Sequence, residues 1–91
     1  MNKSDLVEIL AKKSELTLKK SERIVNHVFD EMTKALKDDD KIEIRGFGSF
    51  VVKRYKAYKG RNPKTGKSIE VKEKKLPFFK VGRELKSRVD G

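Results

Sequence analysis

The chain has no cysteine and no tryptophan, and only one histidine and two prolines among its 91 residues. Lack of cysteine excludes a disulfide scaffold, a thiolate zinc site and a cysteine nucleophile. One histidine, His27, cannot build an imidazole metal site, and its place beside an apolar helical stripe marks it as a boundary residue. Long hydrophobic runs are missing too. Nowhere do roughly 18 apolar residues follow one another, and no apolar leader stands behind Met1-Asn2-Lys3-Ser4-Asp5. A soluble, cytoplasmic protein is expected.

Acidic charge is scarce in one half only. Residues 1–40 carry eight Lys/Arg against nine Asp/Glu, whereas residues 41–91 carry sixteen against five. Residues 53–75 concentrate ten cations (Lys53, Arg54, Lys56, Lys59, Arg61, Lys64, Lys67, Lys72, Lys74 and Lys75) and offset them only with Glu70 and Glu73. Such a density repels itself unless a polyanion neutralises it, so nucleic acid or an anionic membrane surface is the expected partner. Leu, Ile, Val and Phe number 25 of 91, above the roughly 20% below which a highly charged chain stays disordered. With 42% of residues charged, the core of one chain is thin, and burial against a second copy is the natural remedy. One domain that dimerises is expected.

The hydrophobic period changes along the chain. Asn2 or Ser4 caps a first helix to about Lys13, with Leu6, Ile9 and Leu10 on its buried face. Thr17 caps a second, on which Ile24, Val25, Val28, Phe29, Met32, Ala35 and Leu36 trace one apolar stripe. Asp38-Asp39-Asp40 opposes the helix dipole and closes it, as a solvated helix end. The period then falls to two. Lys41 to Arg45 alternates, Gly46-Phe47-Gly48 turns on glycines able to take positive φ, and Ser49 to Val52 resumes the strand. The extended pattern runs on through Tyr58 to a turn at Gly60-Arg61-Asn62-Pro63-Lys64-Thr65-Gly66 and returns with Ile69 and Val71. This ribbon is too polar to bury itself and should project as an arm. Pro77 ends the returning strand, Phe78 and Phe79 rejoin the core, and Gly82 to Val89 forms a short basic helix.

Enzyme-like strings are weak. Gly60 to Ser68, GRNPKTGKS, misses the phosphate-loop pattern by one residue and lacks the apolar strand before it and the helix after it. Asp38 to Asp40 lacks the alternate oxygen ligands of a calcium loop, and no Ser, Asp or Glu has a base at a readable spacing. No catalytic residue, metal or cofactor is expected. Phe47, Phe50, Phe78 and Phe79 could stack bases, but their apolar neighbours favour core or dimer interface, above all for Phe47 and Phe79. Tyr55 and Tyr58 lie among cations and suit either cross-strand packing or a backbone contact to nucleic acid. Pro63 is different. At an exposed tip between Arg61, Asn62 and Lys64 it has no core to join, and a rigid apolar ring is suited to push between stacked base pairs.

Met1-Asn2-Lys3, Gly46-Phe47-Gly48-Ser49-Phe50, the Gly60 to Gly66 string and Pro77-Phe78-Phe79-Lys80-Val81-Gly82-Arg83-Glu84-Leu85-Lys86 together resemble the HU / integration host factor family over the whole chain. This is a family in which insertion of apolar wedges from the minor groove is known. The resemblance implies an α+β fold: an intertwined dimer with a helical base (1–40), an antiparallel β-saddle (41–81) bearing two long protruding arms (about 53–76), and a C-terminal helix (82–91). It implies a bacterial nucleoid protein, not an enzyme, that binds double-stranded DNA in the minor groove and bends it by inserting Pro63 from each arm. Membranes and small-molecule substrates then drop out as partners. The dimer is a homodimer or pairs with a related subunit. DNA contacts are expected from Lys3, Arg45, Arg54, Lys56, Lys59, Arg61, Asn62, Lys64, Lys67, Lys72, Lys74, Lys75, Lys80, Arg83 and Lys86, and a dimer core from Phe29, Phe47, Phe50 and Phe79.

Ile42 to Phe50 is similar to the β subunit of integration host factor more than to HU, which implies that Arg45, oriented by Glu43, enters the minor groove at a preferred sequence. The plain alternative is a surface ion pair. Asp38-Asp39-Asp40 departs from the family's glycine-rich turn. Two other functions compete. The same cations would attract RNA, whose A-form helix resists such a wedge, and GRNPKTGKS would serve a nucleotide hydrolase if its spacing fitted.

Overall fold

The computed structural model describes all residues, Met1–Gly91. Helix α1, Lys3–Ser14, starts at a reciprocal cap: the Asn2 side chain accepts the Asp5 N–H, and the Asp5 carboxylate accepts the Asn2 N–H, both at 2.9 Å. Helix α2, Leu18–Lys37, starts at Thr17, whose Oγ1 accepts the Lys20 N–H at 3.1 Å. The two helices pack through Val7, Ala11, Ser21 and Val25, the only buried residues of the chain. The buried side of α1 is therefore turned from the expected one. Val7 and Ala11 face α2, while Leu6 and Ile9 stay uncovered by their own chain. Small side chains at Ala11 and Ser21 suit a close helix approach, and the Ser21 hydroxyl sits there fully enclosed without a hydrogen-bond partner.

Strands β1 (Ile42–Ile44), β2 (Gly48–Tyr55) and β5 (Lys74–Val81) form an antiparallel sheet in the order β1-β2-β5, and β3 (Tyr58–Arg61) pairs with β4 (Ser68–Val71) in a separate ribbon. Pro77 does not end the returning strand as expected. It lies inside β5 opposite Val52, which is tolerated because β5 is an edge strand and one missing N–H need not break the ladder. In the β1–β2 turn only Gly46 takes positive φ (84°). Gly48 is needed for space instead: a side chain there would collide with the Lys80 carbonyl and the Phe79 ring. Helix α3, Arg83–Asp90, closes the chain, joined to the turn by Gly82 N–H donating to the Phe47 carbonyl at 2.9 Å.

β2 and β5 stay paired as far as Tyr55 and Lys74, so the ribbon that stands clear of the sheet spans 56–73. The molecule extends 59 Å along its longest axis with a radius of gyration of 19.0 Å. A compact domain of this length would have about 12 Å. The α+β architecture with an extended basic arm is the expected one, and no helix is long and apolar enough to cross a membrane.

Candidate nucleic-acid interface

The arm ends in a loop built around Asn62. Its N–H donates to the Lys67 carbonyl at 2.9 Å, its carbonyl accepts the Gly66 N–H at 2.7 Å, and its side-chain oxygen accepts the Lys64 N–H at 2.9 Å. That side-chain bond is the Asx-turn preference of asparagine, and Gly66, at φ 71°, supplies the left-handed residue that closes the loop. Pro63 is thereby pinned on both flanks and exposed. The segment that resembled a phosphate loop forms this hairpin end and not a strand–loop–helix unit.

The cations of the ribbon and of its root differ. Lys56, Lys59, Arg61, Lys64, Lys67 and Lys72 on the ribbon are exposed and make no ion pair. At its root two cations are paired. Arg54 and Lys75 are direct cross-strand partners, and both reach Asp39 beyond the end of α2: Arg54 Nη2 lies 2.6 Å from Oδ2, and Lys75 Nζ lies 3.2 Å from Oδ1. Lys75 also donates to the Lys37 carbonyl at 2.7 Å, and Glu73 stands 3.8 Å from Arg54. The Lys75 hydrogen bond, seconded by Arg54, holds the Asp39 carboxyl below its ordinary range against a smaller opposing effect of desolvation. In the sequence alone this aspartate reads as a solvated helix end.

Strand alternation sorts the remaining residues. Val52, Arg54, Lys75 and Pro77 lie on the side of the sheet that meets α2, and Ser49, Val51, Lys53, Tyr55, Lys74, Phe78 and Lys80 on the other. Lys53, absent from the expected contacts, sits with Nζ 3.6 Å from the centroid of the Phe78 ring, a cation–π contact on that open face. The period-two register shared by Lys53 and Tyr55 was the signal for it. Lys74 stands 5.9 Å from the Tyr55 ring centroid.

Glu43 does not hold Arg45. It pairs with Lys41 at 2.7 Å, and the Lys41 hydrogen bond and charge lower its carboxyl pKa. Arg45 lies in the turn after β1, where the chain leaves the strand direction that keeps Lys41 and Glu43 on one face. Lys3, at the start of α1, donates to the Asn26 side chain at 2.9 Å, and Arg83 and Lys86 are exposed on α3. Phe79 joins the aromatic group, with ring centroids 4.8 Å from Phe50 and 5.6 Å from Phe47. Phe47 and Phe29 each remain 44% exposed in the single chain.

A two-helix base, a small antiparallel sheet and a basic ribbon with an exposed proline at its end are the construction of an HU-like DNA-binding protein. The chain belongs to the bacterial DNA-binding protein family, whose model matches residues 1–90. It is similar to HU of Anabaena in a cocrystal with DNA, at 34% identity over 98% of this chain and 97% of that one, with a TM-score of 0.84. HU of Thermotoga maritima matches at 31% identity over 98% of both chains, with a TM-score of 0.66. A mutant of transcription factor 1, solved in solution, matches at 26% identity over 99% and 91%, also with a TM-score of 0.66.

Proposed function

We propose that the chain works as one half of a dimeric, non-enzymatic nucleoid protein whose two arms follow the minor groove of double-stranded DNA, each bending it by pushing Pro63 into a base step. The observation that carries this reading is the arm: six unpaired cations on a projecting ribbon that ends in an exposed proline held by Asn62. Unpaired cations along a ribbon neutralise phosphates, and a rigid apolar tip unstacks a step at a cost that wider contact with the bent duplex offsets.

Dimerisation follows from what the single chain leaves uncovered. Ile24, Val28 and Phe29 on α2, with Phe47 in the β1–β2 turn and Val81 at the end of β5, are 44–51% exposed, a surface too apolar for solvent and suited to the same surface of a second, related chain. Arg45, with Glu43 held by Lys41 instead, is the candidate reader of a preferred sequence.

The test is a titration of matched DNA and RNA duplexes, with sedimentation of the free protein. Preference for DNA by a dimer supports the reading. Equal or tighter binding to A-form RNA, whose major groove is deep and minor groove shallow, would favour an RNA-binding protein.

A further inference from the structure

Asp39 occupies a backbone position that suits glycine better. It is the residue after the C-cap of α2, at φ 61°, in a turn where its N–H donates to the Leu36 carbonyl at 3.1 Å and the Asp40 N–H donates to the Ala35 carbonyl at 2.8 Å. This is the pattern in which helices end on a left-handed residue, most often glycine. Aspartate tolerates the conformation less well than glycine, so what it adds here is its carboxylate. That carboxylate meets two cations at once, Arg54 and Lys75, like charges placed directly opposite each other where the sheet gives way to the ribbon. Opposed like charges destabilise a strand pair, and a shared anion removes the conflict.

We propose that Asp39 is a latch on the root of the arm, holding Arg54 and Lys75 against the end of α2 so that a DNA phosphate must compete with its carboxylate for these two cations. These two root cations are then electrostatically satisfied in the free protein while those of the ribbon beyond are not. DNA engages the ribbon first. Closing onto the root follows when duplex phosphates outcompete one carboxylate, so the latch lowers affinity for short or loosely held DNA and restrains the arm until it is loaded. Asp39 is a positioning residue in this scheme and touches no DNA itself.

The test compares wild type with Asp39→Asn, Asp39→Gly, Arg54→Gln and the Asp39→Asn/Arg54→Gln pair on a random-sequence DNA duplex over a range of salt. Asparagine tolerates the left-handed position and glycine relieves it, so both variants keep the fold, checked by circular dichroism. Releasing two exposed ion pairs should tighten binding about 2- to 30-fold and steepen the slope of log affinity on log salt by about 1 to 2. Arg54→Gln should weaken the wild type less than it weakens the Asp39→Asn protein, where it should cancel much of the gain. Unchanged affinity and slope in both Asp39 variants, or an equal loss from Arg54→Gln in the two backgrounds, overturns the latch. The inference rests on duplex DNA being the ligand. Wild type that binds no duplex overturns the proposed function together with the latch, whereas wild-type binding with an unchanged slope in the variants overturns the latch alone.

Discussion

Phe79 stands directly opposite Phe50 in the β2–β5 ladder, with ring centroids 4.8 Å apart, and its ring edge fills the space beside the bare Cα of Gly48. The aromatic cluster and the glycine are therefore one packing unit. Gly48→Ala would force the Phe79 ring and the Lys80 carbonyl apart, although the backbone there is in an ordinary conformation. The expected loss is about 1–3 kcal/mol in urea unfolding, the usual range for overpacking. A stability equal to wild type would show that β5 moves away freely.

Acid should weaken the two carboxylate contacts at pH values below the ordinary titration of their residue types. The pKa of Asp39 is depressed first by the Lys75 hydrogen bond and then by Arg54, that of Glu43 by Lys41. A depressed folded-state pKa means a stabilisation fully present above the unfolded value and lost as pH falls through the folded one. In an NMR titration Asp39 should therefore show a midpoint below the ordinary 3.8 and Glu43 one below the ordinary 4.5. The stability difference between wild type and Asp39→Asn should vanish in the same acid range. Midpoints at the ordinary values would mean that the ion pairs do not persist in solution.

The sequence made the helices, the hairpins and the projecting arm legible because each rests on local period and turn chemistry: Thr17 as a cap, the stripe from Ile24 to Leu36, the glycines and Pro63 of the tip. It did not show which face of α1 is buried, because Leu6-Ile9-Leu10 and Val7-Leu10-Ala11 both satisfy helical spacing and only packing against α2 decides between them. Pro77 reads as a strand end in the sequence because edge and central strands look alike in one dimension. The role of Asp39 is not legible in one dimension either. Its partners lie 15 and 36 residues away and meet it only once β2 and β5 are paired. Arg54 and Lys75 counted as free cations in the sequence, and the fold binds them.

Setting those two aside changes the salt dependence expected of binding. Eight of the ten cations in 53–75 remain on each arm, sixteen in a dimer. If a third to a half meet phosphates, log affinity should fall with log salt at a slope of about −5 to −7. A slope shallower than about −3 would mean that the arms are not the binding surface.

Arg45 carries the question of sequence preference. Because Glu43 is engaged by Lys41, Arg45 is free to enter the groove, and Arg45→Ala should weaken binding to a preferred site by about 1–3 kcal/mol with little effect on random DNA. Equal loss on both would make Arg45 an ordinary phosphate contact and the protein HU-like in its indifference to sequence.

The bend itself tests the account most directly, read as fluorescence energy transfer between the two ends of a short DNA duplex with wild type and with Pro63→Ala. The wedge and the charges should separate: Pro63→Ala should lengthen the end-to-end distance markedly while leaving the salt slope nearly unchanged, and Arg61→Ala should lower the slope by about 1 while its complexes stay bent. Pro63→Ala complexes with the wild-type end-to-end distance would contradict the account, reducing Pro63 to a turn residue and leaving the bend to charge neutralisation along the flanks.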